Sequence, residues 1–182
     1  MFDSYVPIHP EEMCDRVDLR PGMHVADLGC GRSGMLAFTA ARRVGEEGIV
    51  YAVDVVPDVL EHISSQIRSR GHDNIQVIWS DIELYGKTAI PQQSLDRCFF
   101  QNVLSVLSAE DQALAEAARL LRPGGSLVVV DWVRPIGAGS TIPSRLVLPS
   151  DVDRHAQQLG LLQGERFSLG GYHYGYILKK PE

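Results

Sequence analysis

The chain has 182 residues, of which 45% are hydrophobic, enough for one domain with a sizeable core. Its 17 basic and 23 acidic residues leave a net charge of −6, which argues against nucleic acid or an anionic membrane as the main partner. Cys14, Cys30 and Cys98 are far apart and lack C-x-x-C spacing, so neither disulfides nor a metal site is expected, and a reducing, cytoplasmic compartment is.

In chain order, the opening MFDSYVPIHPEEM has no apolar segment flanked by basic residues and does not read as a signal peptide. HVADLG, from His24, is a strand running into glycines, and SGMLAFTAARRVG after it is a helix closed by Gly45. GIVYAVDVV is β-branched and apolar on both faces, which suits a buried parallel strand. PDVLEHISSQIRSRG is a helix with Pro57 near its start, Gly71 as its stop, and Leu60, Ile63 and Ile67 at helical spacing. IQVIWSD and SLDRCFFQN are the third and fourth strands. Between them IELYGKTAIPQQS has little helical period, so the crossover helix there is expected to be short or missing. SAEDQALAEAARLLRPGG is a helix with Ser108 as expected N-cap, Asp111 three positions on, and a core stripe of Leu114, Ala118 and Leu121. SLVVVDW is the fifth strand. Residues 133–149, rich in Gly and Pro, read as a possible lid loop. SDVDRHAQQLG (150–160) is a short helix with Val152, Ala156 and Leu159 inward. LLQGERFSLGGYHYGYILKK is a hairpin about Gly170 and Gly171. The basic pairs Arg42/Arg43, Arg68/Arg70 and Lys179/Lys180 read as decoration of element ends, and no apolar run reaches transmembrane length.

Repeated β-α-β units predict an α/β fold, a parallel sheet with helices on both faces and right-handed crossovers. Ligands of such sheets bind at the carboxyl ends of the strands. That rule selects Asp27 to Gly31, Asp54, Asp81, Phe99 to Asn102, and Asp131 with Trp132.

Gly29, Gly31 and Gly34 form G-x-G-x-x-G, and Asp54 follows twenty residues later, so an NAD(P)-dependent oxidoreductase is one reading. Asp27 opposes it. Ionised, it would repel a pyrophosphate by about 4 kcal/mol for unit charges ~4 Å apart at an effective dielectric near 20. S-adenosylmethionine removes the conflict, because its amino-acid end carries an ammonium for Asp27 and a carboxylate for the loop N–H groups and helix start. Asp54 then takes the ribose hydroxyls, Asp81 the adenine amino group, and Val55 and Ile82 enclose the ring. Gly34 serves either the loop or close helix packing, and Cys30 is a small filler beside the cofactor.

LRPGMHVADLGCGRSG, VYAVDVVPDVL, SDIE, LDRCFFQNVL and LLRPGGSLVVVDW resemble, in order and spacing, the motifs of class I S-adenosylmethionine-dependent methyltransferases. The similarity spans about residues 19–180 and is nearest the ubiquinone/menaquinone-biosynthesis group. It implies one domain over 1–182, with a Rossmann-like, seven-stranded, mostly parallel sheet and an antiparallel C-terminal hairpin. It implies S-adenosylmethionine as cofactor, S-adenosylhomocysteine as product and a small-molecule acceptor. Asp27, Gly29, Cys30 and Gly31 would surround the methionine end, Asp54 and Val55 the ribose and adenine, and Asp81 and Ile82 the adenine. Phe100 and Gln101 would approach the methionine part through backbone atoms.

Residues 1–20 would cap the site, and Tyr5, His9, Asn102, Ser105, Asp131, Trp132 and Arg134 are the candidates for the acceptor pocket. Arg134 and Arg145 could select an anionic substrate. Many relatives carry a His where this chain has Ser105 and Val106, and the NPPY-like residues of nucleic-acid amino-group methyltransferases are replaced by FFQN. No residue is therefore assigned as general base; His9, His155 and His173 are read as surface residues. Methyl transfer by positioning alone is the expected mechanism. A non-catalytic, cofactor-binding module of the same fold is the third reading. Membrane insertion is not expected, and the oligomeric state is left open.

Overall fold

The computed structural model describes residues 8–134 and 145–182. Seven strands form one sheet: β1 (His24–Leu28), β2 (Ile49–Asp54), β3 (Ile75–Trp79), β4 (Leu95–Gln101), β5 (Leu121–Trp132), β6 (Leu162–Leu169) and β7 (His173–Lys179). Their order is β3-β2-β1-β4-β5-β7-β6. The first five pair in parallel, whereas β7 is antiparallel to both β5 and β6. The chain winds outward to β3, then returns to lay β4 beside β1. The strand order therefore reverses between β1 and β4, where a crevice opens at the carboxyl ends.

Among the described residues five α-helices cover the sheet: α1 (Pro10–Arg16), α2 (Met35–Val44), α3 (Pro57–Arg70), α4 (Glu110–Leu120) and α5 (Pro149–Gln158). Strand alternation sorts the core into two layers. Ala26, Leu28, Phe100, Val129 and Tyr176 pack with Leu114 of α4 and Val152 of α5. Val25, Phe99, Val128 and Ile177 pack with Met13 of α1, Ala37 of α2 and Ile63 of α3. Among the described residues no helix is long and apolar enough to cross a membrane.

The structure departs from the sequence reading at several element ends. Helix α4 starts at Glu110 with Ala109 as N-cap, so Ser108 does not cap it. The Glu83 carboxylate instead accepts the Ser108 N–H at 2.7 Å and the Ala109 N–H, just ahead of the first helical turn. Strand β5 begins at Leu121 rather than Ser126, because Leu121 pairs with Leu95 before the register shifts. Helix α1 lies in the segment read only as a cap. It has Pro10 at its start, Glu11 and Glu12 in its first turn and Arg16 in its last, each favourable to the helix dipole.

From Trp79 to Leu95 there is no helix, as the weak period predicts. A buried acid organises this stretch instead. Glu116 of α4 accepts the N–H groups of Gly86 at 2.7 Å and Thr88 at 3.0 Å, and pairs with Arg119 at 2.7 Å. Burial alone would raise its carboxyl, but Arg119 and these donors outweigh that and hold it down at about 2.

Members of two of the basic pairs have partners within the fold. Arg42 and Arg43 pair with Glu11 of α1. The Lys180 ammonium donates to the Ala118 and Leu121 carbonyls, both at 2.8 Å, and so caps the end of α4. Gly175 of β7 leaves room for the Phe167 ring, which a Cβ would meet at 2.1 Å, and Arg16 stacks 3.8 Å over that ring.

Candidate functional site

The glycine loop after β1 is latched to the end of β2. Gly29 and Cys30 donate their N–H groups to the Val53 carbonyl at 2.8 and 2.9 Å. Asp54, the last residue of β2, accepts the Gly31 N–H at 3.0 Å on one oxygen and the Val56 N–H at 3.0 Å on the other. The N–H groups of Gly29, Cys30 and Gly31, expected to hold a ligand carboxylate, are thus engaged inside the protein. Gly29 has φ +81°, and a Cβ there would lie 2.6 Å from Val103 Cγ2, so glycine also lets the turn after β4 close on this loop.

Asp27 points from β1 toward α2, where its Oδ2 accepts the Ala37 N–H at 3.1 Å and caps the third helical residue from outside the helix. It is 3% exposed. Burial raises its carboxyl to about 7; the Ala37 N–H opposes the rise and the neighbouring Asp54 carboxylate adds to it. A carboxyl that is half neutral at pH 7 repels a pyrophosphate less than the sequence reading requires. Asp27 alone therefore separates the two cofactor readings less sharply than its position suggests. Asp81, just past β3, accepts the Glu83 N–H at 3.0 Å, an Asx turn that holds its carboxylate at the strand end.

These elements enclose a cavity of about 430 Å³ at the carboxyl ends of β1, β2, β3 and β4. Asp27, Gly29, Cys30, Gly31, Asp54, Val55, Asp81, Ile82 and Gln101 line it. Phe100 does not: alternation along β4 turns its side chain into the core against α4. The sequence reading missed Ser33, Met35, Val56, Glu83, Val103 and Val106 among the lining residues. Met35 and Val106 are 54% and 64% exposed, apolar side chains at the ends of short turns where no periodicity marks a face.

Of the acceptor-side candidates, Asn102 lines the cavity. Asp131 is not among the lining residues but fully buried, accepting the Ser105 N–H at 3.1 Å and the Trp132 N–H at 2.8 Å. It fastens the 3₁₀ turn Leu104–Val106 to β5. Burial raises its carboxyl against the pull of these donors. Trp132 packs on His173 with ring centroids 3.9 Å apart. His173 is 1% exposed, not a surface residue, and burial lowers its imidazole to about 4, so it is neutral at pH 7. His155 is half-buried rather than on a solvent face, with Nε2 3.9 Å from Glu110. Arg134 donates to the Gly171 carbonyl at 2.9 Å and stacks on Tyr172. Arg145 pairs with Glu110 and donates to the Leu107 carbonyl at 3.1 Å. His9 is exposed at the start of α1, and α1 packs on α2 and reaches β6 through Arg16 and Glu165, so residues 8–20 flank the sheet rather than line the cavity. Tyr5 and residues 135–144 of the expected lid lie outside the described residues.

Comparison with known proteins adds the family. The sequence profile described as "Methyltransferase domain" matches residues 19–160. The chain is 32% identical over 122 residues to aklanonic acid methyltransferase DauC of Streptomyces sp. (strain C5), covering 67% of this chain and 52% of that protein. It is 34% identical over 119 residues to ubiquinone/menaquinone biosynthesis C-methyltransferase UbiE of Bordetella avium, covering 65% and 44%. The chain thus spans about half the length of these curated relatives. Its fold is shared with a SAM dependent methyltransferase from Aquifex aeolicus at a TM-score of 0.84 and 24% identity, covering 98% of this chain and 91% of that one.

Proposed function

The chain belongs to the methyltransferase-domain family, and on that premise we propose that it is an S-adenosylmethionine-dependent methyltransferase with a small-molecule acceptor, built as a single domain. The observation that carries this reading is one cavity into which β1, β2 and β3 each bring a carboxyl group, Asp27, Asp54 and Asp81. The residues present fit the cofactor. Asp54 stands at the end of β2 for a ribose diol, Asp81 with Val55 and Ile82 for an adenine, and Asp27 for an ammonium. The cavity volume of about 430 Å³ lies in the ~300–1,000 Å³ range of small-molecule sites.

When bound, S-adenosylmethionine supplies a methyl group whose carbon takes up the acceptor's lone pair while the C–S pair stays on sulfur, leaving S-adenosylhomocysteine. The chain's own contribution is alignment. Asp54 rigidifies the glycine loop through Gly31, and Asp131 holds the turn carrying Val106 at the cavity mouth. Asp131 and His173 lie outside the cavity lining, which supports transfer by positioning rather than by a general base. A relative named for aklanonic acid supports a small-molecule acceptor.

Titration calorimetry tests the proposal. Saturable binding of S-adenosylmethionine and S-adenosylhomocysteine is expected, with no comparable heat from NADH. Preference for NADH would overturn this reading and establish the oxidoreductase one.

A further inference from the structure

Two walls of the cavity come from strands that are not neighbours in the sheet, since β2 and β1 lie between β3 and β4. The stretch after β3 brings Ser80, Asp81, Ile82 and Glu83 to the cavity, and the stretch after β4 brings Val103, Val106 and Leu107. Neither wall is held by sheet pairing, so side chains must set their separation.

The stretch after β3 has no helix or strand of its own. The Ser80 and Thr88 hydroxyls hydrogen-bond at 3.1 Å and close its neck, and Glu116 ties Gly86 and Thr88 to the middle of α4. Its link to the other wall is Glu83. A single oxygen, Oε1, accepts the Ser108 N–H at 2.7 Å and the Ala109 N–H, the two amides that directly follow Leu107. Ala109, the N-cap of α4, makes no side-chain cap bond, and among the described residues Glu83 is the acceptor these amides have. Val106 is 64% exposed, so packing does little to fix its side of the turn. A ligand that touches both walls binds best when they are held at one separation. By linkage it favours the state in which the Glu83 clip is closed.

We propose that Glu83 is a positioning residue that couples ligand binding at the wall after β3 to the order of the turn carrying Val106 and Leu107. The ligand fixes the stretch around Asp81 and Ile82, that stretch fixes the Glu83 carboxylate, and the carboxylate fixes Ser108 and Ala109. This rests on the cofactor reading above, in which the nucleoside lies against Asp81 and Ile82.

Two variants separate reach from charge. Because both bonds fall on one oxygen, Glu83→Gln keeps the acceptor and its reach. Glu83→Asp keeps the charge but withdraws the oxygen by one methylene group. Hydrogen exchange of the Ser108 and Ala109 amides, followed by NMR in the whole chain with and without S-adenosylhomocysteine, reads the coupling. In the wild type the ligand is expected to slow both amides about tenfold or more. Glu83→Gln retains most of that slowing, and Glu83→Asp loses it while still binding. Calorimetry is expected to show S-adenosylhomocysteine and 5′-methylthioadenosine, which lacks the amino-acid end, weakened by the same factor of about three to ten in Glu83→Asp. Slowing in Glu83→Asp equal to that in the wild type overturns the proposal. So does wild-type binding that leaves the two amides unchanged, or a loss in Glu83→Gln as large as in Glu83→Asp. A wild-type chain that binds neither nucleoside overturns the cofactor reading, and the coupling with it.

Discussion

At the scale of single residues, Asp27 combines two duties that pull its charge in opposite directions. It caps α2 through the Ala37 N–H, and it presents a carboxyl to the cavity. Burial raises it from 3.8 to about 7 in the folded chain. The neutral form is thus favoured on folding; this contribution to stability is complete below pH 3.8 and is lost as pH rises through about 7. Asp27→Asn keeps an acceptor for the Ala37 N–H without a charge to bury. It is expected to stabilise the ligand-free protein at pH 8 by up to ~4 kcal/mol and by less than half as much, ~1.6 kcal/mol, at pH 5. Denaturant melts at the two pH values check this, and equal effects at both would contradict it. The cost should appear in binding. A cationic ligand needs the carboxylate, so S-adenosylmethionine affinity of the wild type should fall about tenfold per pH unit below about 7, and the Asn variant should show a flat profile. The type and position of Asp27 are legible in the sequence. The bond to Ala37 is not, because it joins a strand to a helix that only the turn of the loop brings together.

At the scale of elements, short side-chain clips rather than caps local in sequence hold the site. Glu83 joins the wall that follows β3 to the start of α4: its carboxylate, 25 residues away in sequence, accepts the N–H of Ser108, the local N-cap candidate, while Ala109 takes the N-cap position. Gly34 resolves an ambiguity in the glycine motif. It is the N-cap of α2 at φ +56°, and a Cβ there would come 2.6 Å from Ile63 Cδ1 and 3.1 Å from Phe38 Cε2. Its smallness serves the packing of α2 on α3. Gly34→Ala is expected to destabilise by about 2–3 kcal/mol, from strained backbone and overpacking, and thermal melts would register it. An unchanged melting temperature would mean that α2 and α3 separate freely. Element identity was largely readable, since β-branched runs and helical stripes recur from His24 onward. Boundaries were less so, because long-range donors and acceptors such as Glu83 set them.

At the scale of the whole molecule, the hairpin completes the sheet rather than decorating it. β7 lies between β5 and β6, and its Tyr176 and Leu178 are fully buried against the α4 and α5 layer. A chain shortened to residues 1–160 leaves β5 as an open apolar edge and is expected not to fold. Circular dichroism and limited proteolysis would test this, and a native-like melt of the short chain would refute it. The sequence by itself determined the α/β class, the glycine loop, the three strand-end acids and the hairpin. Each follows from local periodicity, turn chemistry or the rule that parallel strands deliver ligand-binding residues at their carboxyl ends. Tertiary structure alone decided which of those groups reach the cavity. Phe100 and Asp131 stand at strand ends as the candidate acids do, yet the pleat turns Phe100 into the core and buried donors claim Asp131. Tertiary structure also decided that the N–H groups of Gly29, Cys30 and Gly31 are engaged within the fold. Hydrogen-bond partners distant in sequence are chosen by the packed sheet, and no local pattern encodes them.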